Sequence, residues 1–190
     1  MYCNPTHITE EKTRFLLPLC QDRRYNETKS GTEKGGKTMD HSNKAVVSEI
    51  SKGQKEELIS RALAKLPDAY APYSHFHVAA ALLCRDGEIY TGCNVENASY
   101  PAGICAERSA FSAAVSGGKR QFDAIAIVGG MDGKPQDYCA PCGICRQFMR
   151  EFVHPDQFII LLAKSPSEYQ EYTLSQLLPE SFGPENLGMA

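Results

Sequence analysis

The clearest helical pattern lies between residues 51 and 67, where apolar side chains recur every three or four positions. The side chains of this stripe are Leu58, Ile59, Ala62, Leu63 and Leu66. Such spacing is typical of an amphipathic helix that buries one face, and Pro67 cannot continue it. The pattern therefore predicts a helix that starts near Ser51 and ends before Pro67.

Four further segments have the composition of β-strands. They are residues 76–84, 88–94, 124–128 and 158–163. Asp86-Gly87 predicts a tight turn between the first two, which makes them a paired hairpin. Gly129-Gly130 is expected to end the third strand.

Helical composition returns between these strands. Residues 104–115 are rich in alanine and are followed by Gly117-Gly118. Residues 141–152 begin with a proline, which is tolerated in the first turn, and residues 173–178 predict a short last helix. Strands that alternate with helices predict the α/β class, here a three-layer α/β/α sandwich around a mixed sheet of about five strands.

The first quarter of the chain differs in character. Residues 1–48 are polar, and residues 29–44 contain almost no apolar side chains, so they cannot bury enough surface to offset the entropy cost of ordering. We therefore predict a flexible N-terminal extension over residues 1–48 and a folded domain over residues 49–190. Within the extension, residues 9–17 have the pattern of a short helix, and Met39 offers an alternative start.

Composition and charge exclude several classes of function. The net charge is −3, and residues 49–190 carry 12 basic and 17 acidic side chains, which disfavours nucleic acid and membrane surfaces as partners. No apolar run is long enough to span a bilayer, and no secretion or transit signal is visible. We expect a cytoplasmic protein whose eight cysteines are metal ligands and free thiols rather than disulfides.

Two short motifs carry the candidate chemistry. Cys105-Ala-Glu-Arg and Pro141-Cys-Gly-Ile-Cys offer three thiols and, at Glu107, one carboxylate. Three protein ligands leave one position open on a tetrahedral zinc, which is typical of catalytic rather than structural sites. Because both motifs begin predicted helices at the ends of neighbouring strands, Cys105, Cys142 and Cys145 are expected to converge. Glu107 would then move protons beside the metal.

Simpler interpretations compete with this one. A Cys-x-x-Cys pair alone also fits a structural zinc site or a redox dithiol, and Cys139 forms a second such pair with Cys142. Cys139 precedes Pro141, so we expect it in the loop and off the face that carries the other thiols. Taken alone, Glu107 and Arg108 would be ordinary helix residues. No histidine is close to either motif, so no fourth protein ligand is implied.

From about Gln54 to Leu187 the chain resembles the homotetrameric class of cytidine deaminases. Five landmarks in order carry the resemblance: Ala71-Pro-Tyr-Ser-His-Phe-His-Val, Gly92-Cys-Asn-Val-Glu-Asn-Ala-Ser-Tyr-Pro, Ile104-Cys-Ala-Glu-Arg, Ala140-Pro-Cys-Gly-Ile-Cys-Arg-Gln and Leu177-Leu-Pro-Glu-Ser-Phe-Gly-Pro. Two departures stand out. Ala79 occupies a position where the family usually has glycine, and the N-terminal extension lies outside the family pattern.

The resemblance implies a set of residue roles. Cys105, Cys142 and Cys145 would bind one zinc ion per subunit, and Glu107 would be the proton shuttle. The other implied residues contact the substrate. Asn94 and Glu96 would hold the ribose hydroxyls, Phe76 would stack on the pyrimidine, and the backbone at Ala106 would read the base edge. Tyr100 ends a segment that lines substrate sites, and Phe182 would reach a neighbouring subunit's site. Our own hypothesis adds Arg108, which would hydrogen-bond the thiolates and offset their electron donation to the metal.

These roles predict zinc-dependent hydrolytic deamination of cytidine and deoxycytidine to uridine and deoxyuridine plus ammonia, as in pyrimidine salvage. The enzyme would be a homotetramer with active sites shared between subunits. A free nucleoside fits better than a nucleotide because no cluster of Arg or Lys accompanies Asn94 and Glu96. The alternatives are a deaminase for another aminopyrimidine or for a base in nucleic acid, and a non-catalytic zinc-binding scaffold.

Overall fold

A computed structural model describes residues 50–188 of the chain. The predicted extension over residues 1–48, its short helix over residues 9–17 and the alternative start at Met39 lie outside the described residues. The division of the chain at residue 48 therefore stays a prediction.

Five strands form one mixed sheet. They are β1 (Phe76–Cys84), β2 (Ile89–Cys93), β3 (Phe122–Met131), β4 (Ile159–Ser165) and β5 (Glu168–Thr173). Their order across the sheet is β2-β1-β3-β4-β5. Only the β3–β4 pair is parallel, and the other three pairs are antiparallel. The predicted hairpin of β1 and β2 is confirmed, as is the mixed five-stranded sheet.

In the described part of the chain, four α-helices accompany the sheet: α1 (Lys52–Lys65), α2 (Ala106–Ser116), α3 (Gly143–Arg150) and α4 (Leu174–Leu177). Helix α1 starts with a capping box. The Ser51 hydroxyl accepts a hydrogen bond from the Gln54 backbone N–H, and the Gln54 side-chain oxygen accepts one from the Ser51 backbone N–H. Helix α1 ends at Lys65 and is followed by a short 3-10 helix, Leu66–Asp68, that contains Pro67. The prediction that the helix ends before Pro67 is confirmed. Within residues 50–188, no helix is long and apolar enough to cross a membrane.

The helices cover both faces of the sheet. On one face, Leu58, Ile59 and Ala62 of α1 pack against the inward side chains of β1, β3 and β4. On the other face, Phe111 of α2 and Met149 of α3 join the opposite side chains of the same strands, because successive residues of a strand point to opposite faces. The predicted three-layer arrangement is therefore confirmed. Ala79, which departs from the family pattern, is fully buried on the α1 face.

Strand β3 does not end where the sequence suggested. It continues through Gly129 and Gly130, which pair with Val78 and His77 of β1. A Cβ atom at Gly130 would overlap the carbonyl group of Lys134, and one at Gly129 would lie 3.0 Å from the Cys139 sulfur. These glycines are needed because the returning loop crosses the strand closely, not because the strand stops there.

Two other boundaries were predicted too widely, and one strand was missed. Helix α3 begins after Cys142, its N-cap, so Pro141 lies before the helix rather than in its first turn. Helix α2 likewise starts at Ala106 rather than at residue 104, since Ile104 forms an extended bridge with Val95. Strand β5 is a mostly polar edge strand, so it lacks the apolar composition by which the other strands were recognised.

Gly92 permits the close approach of β2 to the first turn of α2. A Cβ atom there would lie 2.6 Å from the Ala106 carbonyl oxygen and 2.8 Å from Ser109 Cβ. We expect Gly92→Ala to lower the free energy of unfolding by about 1–3 kcal/mol, the usual cost of overpacking. Gly53→Ala is the matched control, because a Cβ atom there meets nothing within 4 Å. The control should be neutral or up to about 1 kcal/mol more stable. Denaturant unfolding of both variants checks the prediction, and equal stability would contradict it.

Candidate active site

The sulfur atoms of Cys105, Cys142 and Cys145 come together at one end of the sheet. Cys105 is the N-cap residue of α2, Cys142 is the N-cap residue of α3, and Cys145 lies in the first turn of α3. Their three sulfurs all lie within 4.8 Å of one another. Within residues 50–188, neither N-cap side chain makes a capping hydrogen bond, so both are available for another partner.

The spacing of these sulfurs fits zinc. A tetrahedral site with Zn–S bonds of about 2.3 Å places its sulfurs about 3.8 Å apart. The distance between the sulfurs of Cys105 and Cys142 is 3.8 Å. Thiolates are also among the ligands that suit zinc best. The exposure of the three residues differs: Cys145 is buried, Cys105 is half-buried and Cys142 is exposed. One side of the group is therefore open towards a cavity.

The thiols already share their protons unequally. The neighbouring Cys145 thiol, with a further contribution from Arg108, lowers the pKa of Cys105. The pKa of Cys145 rises correspondingly, because its thiol is the donor to Cys105 and is also desolvated by burial. Cys105 is therefore the thiol of this pair that ionises more readily, and metal binding would release the thiol protons.

Glu107 presents a buried carboxyl group to the same cavity. It lies in the first turn of α2 and is only 4% exposed. Burial raises its pKa to about 7, and the charge of Cys105 adds to this effect. A carboxyl group that titrates near neutral pH can both accept and donate a proton.

Arg108 lies beside the thiol group, close to Cys105. Its Nη2 atom is 3.9 Å from the Cys105 sulfur and 3.5 Å from the Gly103 carbonyl oxygen. Its Nε atom is buried without a hydrogen-bond partner among residues 50–188. The guanidinium group thus sits where the hypothesis requires it, and its role stays a prediction.

A cavity of about 730 Å³ extends from the thiols, a size typical of sites for small molecules. Its walls include all but one, Phe182, of the residues that the sequence singled out for substrate binding. These are Phe76, Asn94, Glu96, Tyr100 and Ala106. Phe76 is 38% exposed and Tyr100 79% exposed, so both offer aromatic surface to a ligand.

Asn94 and Glu96 are tied to the chain in ways that the sequence did not reveal. Asn94 Oδ1 accepts from the backbone N–H of Val78 at 2.8 Å, and its Nδ2 donates to the carbonyl oxygen of Phe76 at 2.9 Å. Glu96 accepts from the backbone N–H groups of Tyr73 and Ser74 at 2.9 and 3.2 Å, and from the Ser74 hydroxyl. The hydroxyl and the N–H groups lower the pKa of Glu96, which keeps it ionised.

One cysteine, Cys139, and one aromatic residue, Phe182, lie outside this group of site residues. Cys139 lies in the loop before α3 and lines the cavity, but it is not part of the three-thiol group, as the sequence predicted. Burial raises its pKa to about 11. Phe182 is 58% exposed and does not line the cavity of its own chain, and its carbonyl oxygen accepts from the Gln147 side chain at 3.0 Å.

Comparison with known proteins finds close similarity to deaminases. The family model described as "Cytidine and deoxycytidylate deaminase zinc-binding region" matches residues 52–161. A cytidine deaminase from Sporosarcina psychrophila is 43% identical over 135 residues, which cover 71% of this chain and 96% of that protein. A probable cytidine deaminase from Dictyostelium discoideum is 38% identical over 138 residues, covering 73% and 90% of the two chains.

Solved structures agree. The crystal structure of cytidine deaminase from Burkholderia pseudomallei superposes with a TM-score of 0.61 at 43% identity, covering 66% of this chain and 97% of that one. The cytidine deaminase from Mycobacterium tuberculosis gives a TM-score of 0.56 at 38% identity, covering 67% and 95%. The family model matches more than half of this chain, and the chain brings together three thiols that fit zinc. This chain therefore belongs to the cytidine and deoxycytidylate deaminase family.

Proposed function

We propose that the protein catalyses hydrolytic deamination of cytidine and deoxycytidine, releasing uridine or deoxyuridine and ammonia, as a step of pyrimidine salvage. The observation that carries the proposal is the buried Glu107 carboxyl group on a cavity wall beside three thiols that fit zinc. A purely structural zinc site has no need of a buried carboxyl group at an open cavity.

Cys105, Cys142 and Cys145 would hold the metal. When bound, zinc supplies Lewis acidity and lowers the pKa of a water molecule in the site. Glu107 accepts a proton from the attacking water and delivers it to N3 of the pyrimidine ring. The water oxygen forms its bond to C4, and the bond from C4 to the amino group breaks. Glu107 then accepts the remaining proton from the new hydroxyl group at C4 and delivers it to that nitrogen, which leaves as ammonia while C4 becomes a carbonyl carbon.

The base and the sugar would be held by different walls of the cavity. Phe76 presents its ring to the flat face of the pyrimidine. The backbone at Ala106 lies at the start of α2, where N–H groups lack helical partners and can read the base edge. Asn94 and Glu96 supply amide and carboxylate groups for the ribose hydroxyls. Tyr100 also lines the cavity and offers its exposed ring to the nucleoside.

Assembly and location form part of the proposal. We propose a homotetramer in which Phe182 completes the site of a neighbouring subunit. Its support is the exposed aromatic ring of Phe182, which stays outside its own cavity, and the exposed apolar side chains at the mouth of that cavity, Val95, Tyr100 and Ile144. Light scattering coupled to gel filtration tests the tetramer. A cytoplasmic location is supported by the six cysteines within residues 50–188, none of which forms a disulfide with another of them.

The first experiment follows the loss of cytidine's ultraviolet absorbance with purified, zinc-loaded protein. Turnover of cytidine and deoxycytidine supports the proposal. Inactivity on cytidine with turnover of another aminopyrimidine nucleoside would assign a different substrate in the same class. Stoichiometric zinc without turnover of any pyrimidine nucleoside would instead favour the non-catalytic scaffold.

Arg108 provides a separate test of the site. We expect Arg108→Ala to lower kcat by roughly 10–100-fold, the usual effect of removing a group that hydrogen-bonds a metal ligand. The guanidinium group, 3.9 Å from the Cys105 sulfur, would no longer draw charge from that thiolate. The measurement is kcat across the pH range, with zinc content determined on the same samples. Full turnover with an unchanged pH profile would show that Arg108 does not tune the metal site.

A further inference from the structure

We propose that Ser74 is a positioning residue that fixes the sugar-binding carboxylate of Glu96 and the base-stacking segment at Phe76 in one arrangement. The inference deepens the proposed function and rests on it. Ser74 lines the cavity, but neither the metal site nor the proton shuttle uses it.

The first half of the argument concerns Glu96. The Ser74 hydroxyl donates to Glu96 Oε1, and the Ser74 backbone N–H donates to Glu96 Oε2 at 3.2 Å. The Tyr73 N–H adds a third bond to Oε2 at 2.9 Å. All three donors come from one turn, 22 or 23 residues away in sequence. They hold the carboxylate in a single orientation on the cavity wall.

The second half concerns Phe76. The hydroxyl that donates to Glu96 also accepts from the backbone N–H of Phe76 at 3.0 Å. The carbonyl oxygen of Phe76 accepts in turn from Asn94 Nδ2 at 2.9 Å. The backbone that carries the stacking ring is therefore held on both sides by the two residues proposed to bind the sugar. It is held directly by Asn94, and through Ser74 by Glu96.

Hydrogen-bonding capacity shows what remains for a substrate. An ionised carboxylate has about four acceptor positions, of which the turn occupies three. The remaining position lies on Oε1, the oxygen that the Ser74 hydroxyl orients. Asn94 likewise keeps one N–H and one acceptor position after its two backbone bonds. Each residue can therefore bind a sugar hydroxyl without giving up the bonds that position it.

The turn itself needs such support. His75, between Ser74 and Phe76, has a φ of 56°, which is uncommon for a residue with a side chain. Its N–H donates to the Ala71 carbonyl oxygen at 3.1 Å, and its own carbonyl oxygen accepts from the backbone N–H of Asp132 at 2.8 Å. With the backbone of His75 fixed by these bonds, the Ser74 hydroxyl is placed to serve Glu96 and Phe76 together.

The test compares cytidine with 2′,3′-dideoxycytidine, which has no sugar hydroxyls at those positions. We expect Ser74→Ala to lower kcat/KM for cytidine about tenfold more than for the dideoxynucleoside, as expected when a hydrogen bond to a charged group is lost. The larger part of the loss should appear in KM. Ser74→Thr, which keeps the hydroxyl, should restore the preference for cytidine. Ser167→Ala, in the turn between β4 and β5, is the matched control and should change neither substrate.

The outcomes separate the two levels of the proposal. Inactivity of the unchanged protein on cytidine overturns the proposed function, and this inference with it. Normal turnover of cytidine, with equal losses on both substrates in Ser74→Ala, overturns the proposed coupling of Glu96 to Phe76 through Ser74 and leaves the proposed function standing, because loss of the Glu96 arrangement must affect cytidine more than the dideoxynucleoside. Failure of Ser74→Thr to restore the preference has the same meaning.

Discussion

Replacing Glu107 by glutamine is expected to lower kcat for cytidine by roughly 10²–10⁴-fold, the range associated with a general acid–base group. Glutamine has nearly the same shape as glutamate, so it should fit the buried position in α2 without repacking. It cannot accept the proton of the attacking water or return one to the leaving amino group. The change therefore removes the chemistry while the cavity stays intact.

The measurement pairs initial rates of cytidine loss with zinc content and thermal unfolding of the same sample. Glu57→Gln makes the same chemical change on an exposed position of α1, on the opposite face of the sheet, and should leave the rate unchanged. Substantial turnover by Glu107→Gln would exclude Glu107 as the proton shuttle. Loss of zinc from Glu107→Gln would show that the carboxyl group supports the metal site instead.

Cys142→Ser is expected to abolish zinc binding and activity together. Removing a direct ligand should weaken zinc binding by roughly 100-fold or more, since even groups that only support a ligand contribute 10–100-fold. Cys142 is the exposed member of the group, so a hydroxyl there leaves the packing of the core unchanged. Zinc is measured by metal analysis after dialysis against a weak chelator, and activity by the same absorbance assay.

Cys139→Ser is the matched control, because it alters the competing Cys-x-x-Cys pair while sparing the three-thiol group. We expect the control to keep one zinc per chain. Retention of zinc by Cys142→Ser, with its loss from Cys139→Ser, would reverse the assignment of ligands. Equal loss in both would indicate a site that uses all four thiols.

The apolar core was readable from the sequence because its signals are local. The helical stripe of α1 and the apolar run of β1 appear in the structure with the expected boundaries. The start of α2 and the end of β3 were not readable, since each is decided by a strand partner distant in sequence. Gly130 remains in its strand because it pairs with His77 of β1, and strand β5 exists because β4 offers it a paired edge.

The features of the candidate site also divide into those that local sequence predicts and those that distant contacts decide. Convergence of the thiols followed from two helix starts at the ends of neighbouring strands, and the structure brings them together. The bonds from Tyr73 and Ser74 to Glu96 depend on how a turn folds back over more than twenty residues. The Ala71-Pro-Tyr-Ser landmark marked that turn as notable, but no spacing rule could pair it with Glu96.

The two N-cap cysteines have a consequence for the unfolded chain as well. Cys105 and Cys142 are 37 residues apart, and a metal ion held between them would act as a crosslink that closes this segment into a loop. By the entropy relation used for disulfides, a loop of that length corresponds to about 4 kcal/mol. Unlike a disulfide, such a crosslink needs no oxidant to form, so it suits thiols kept in their reduced state.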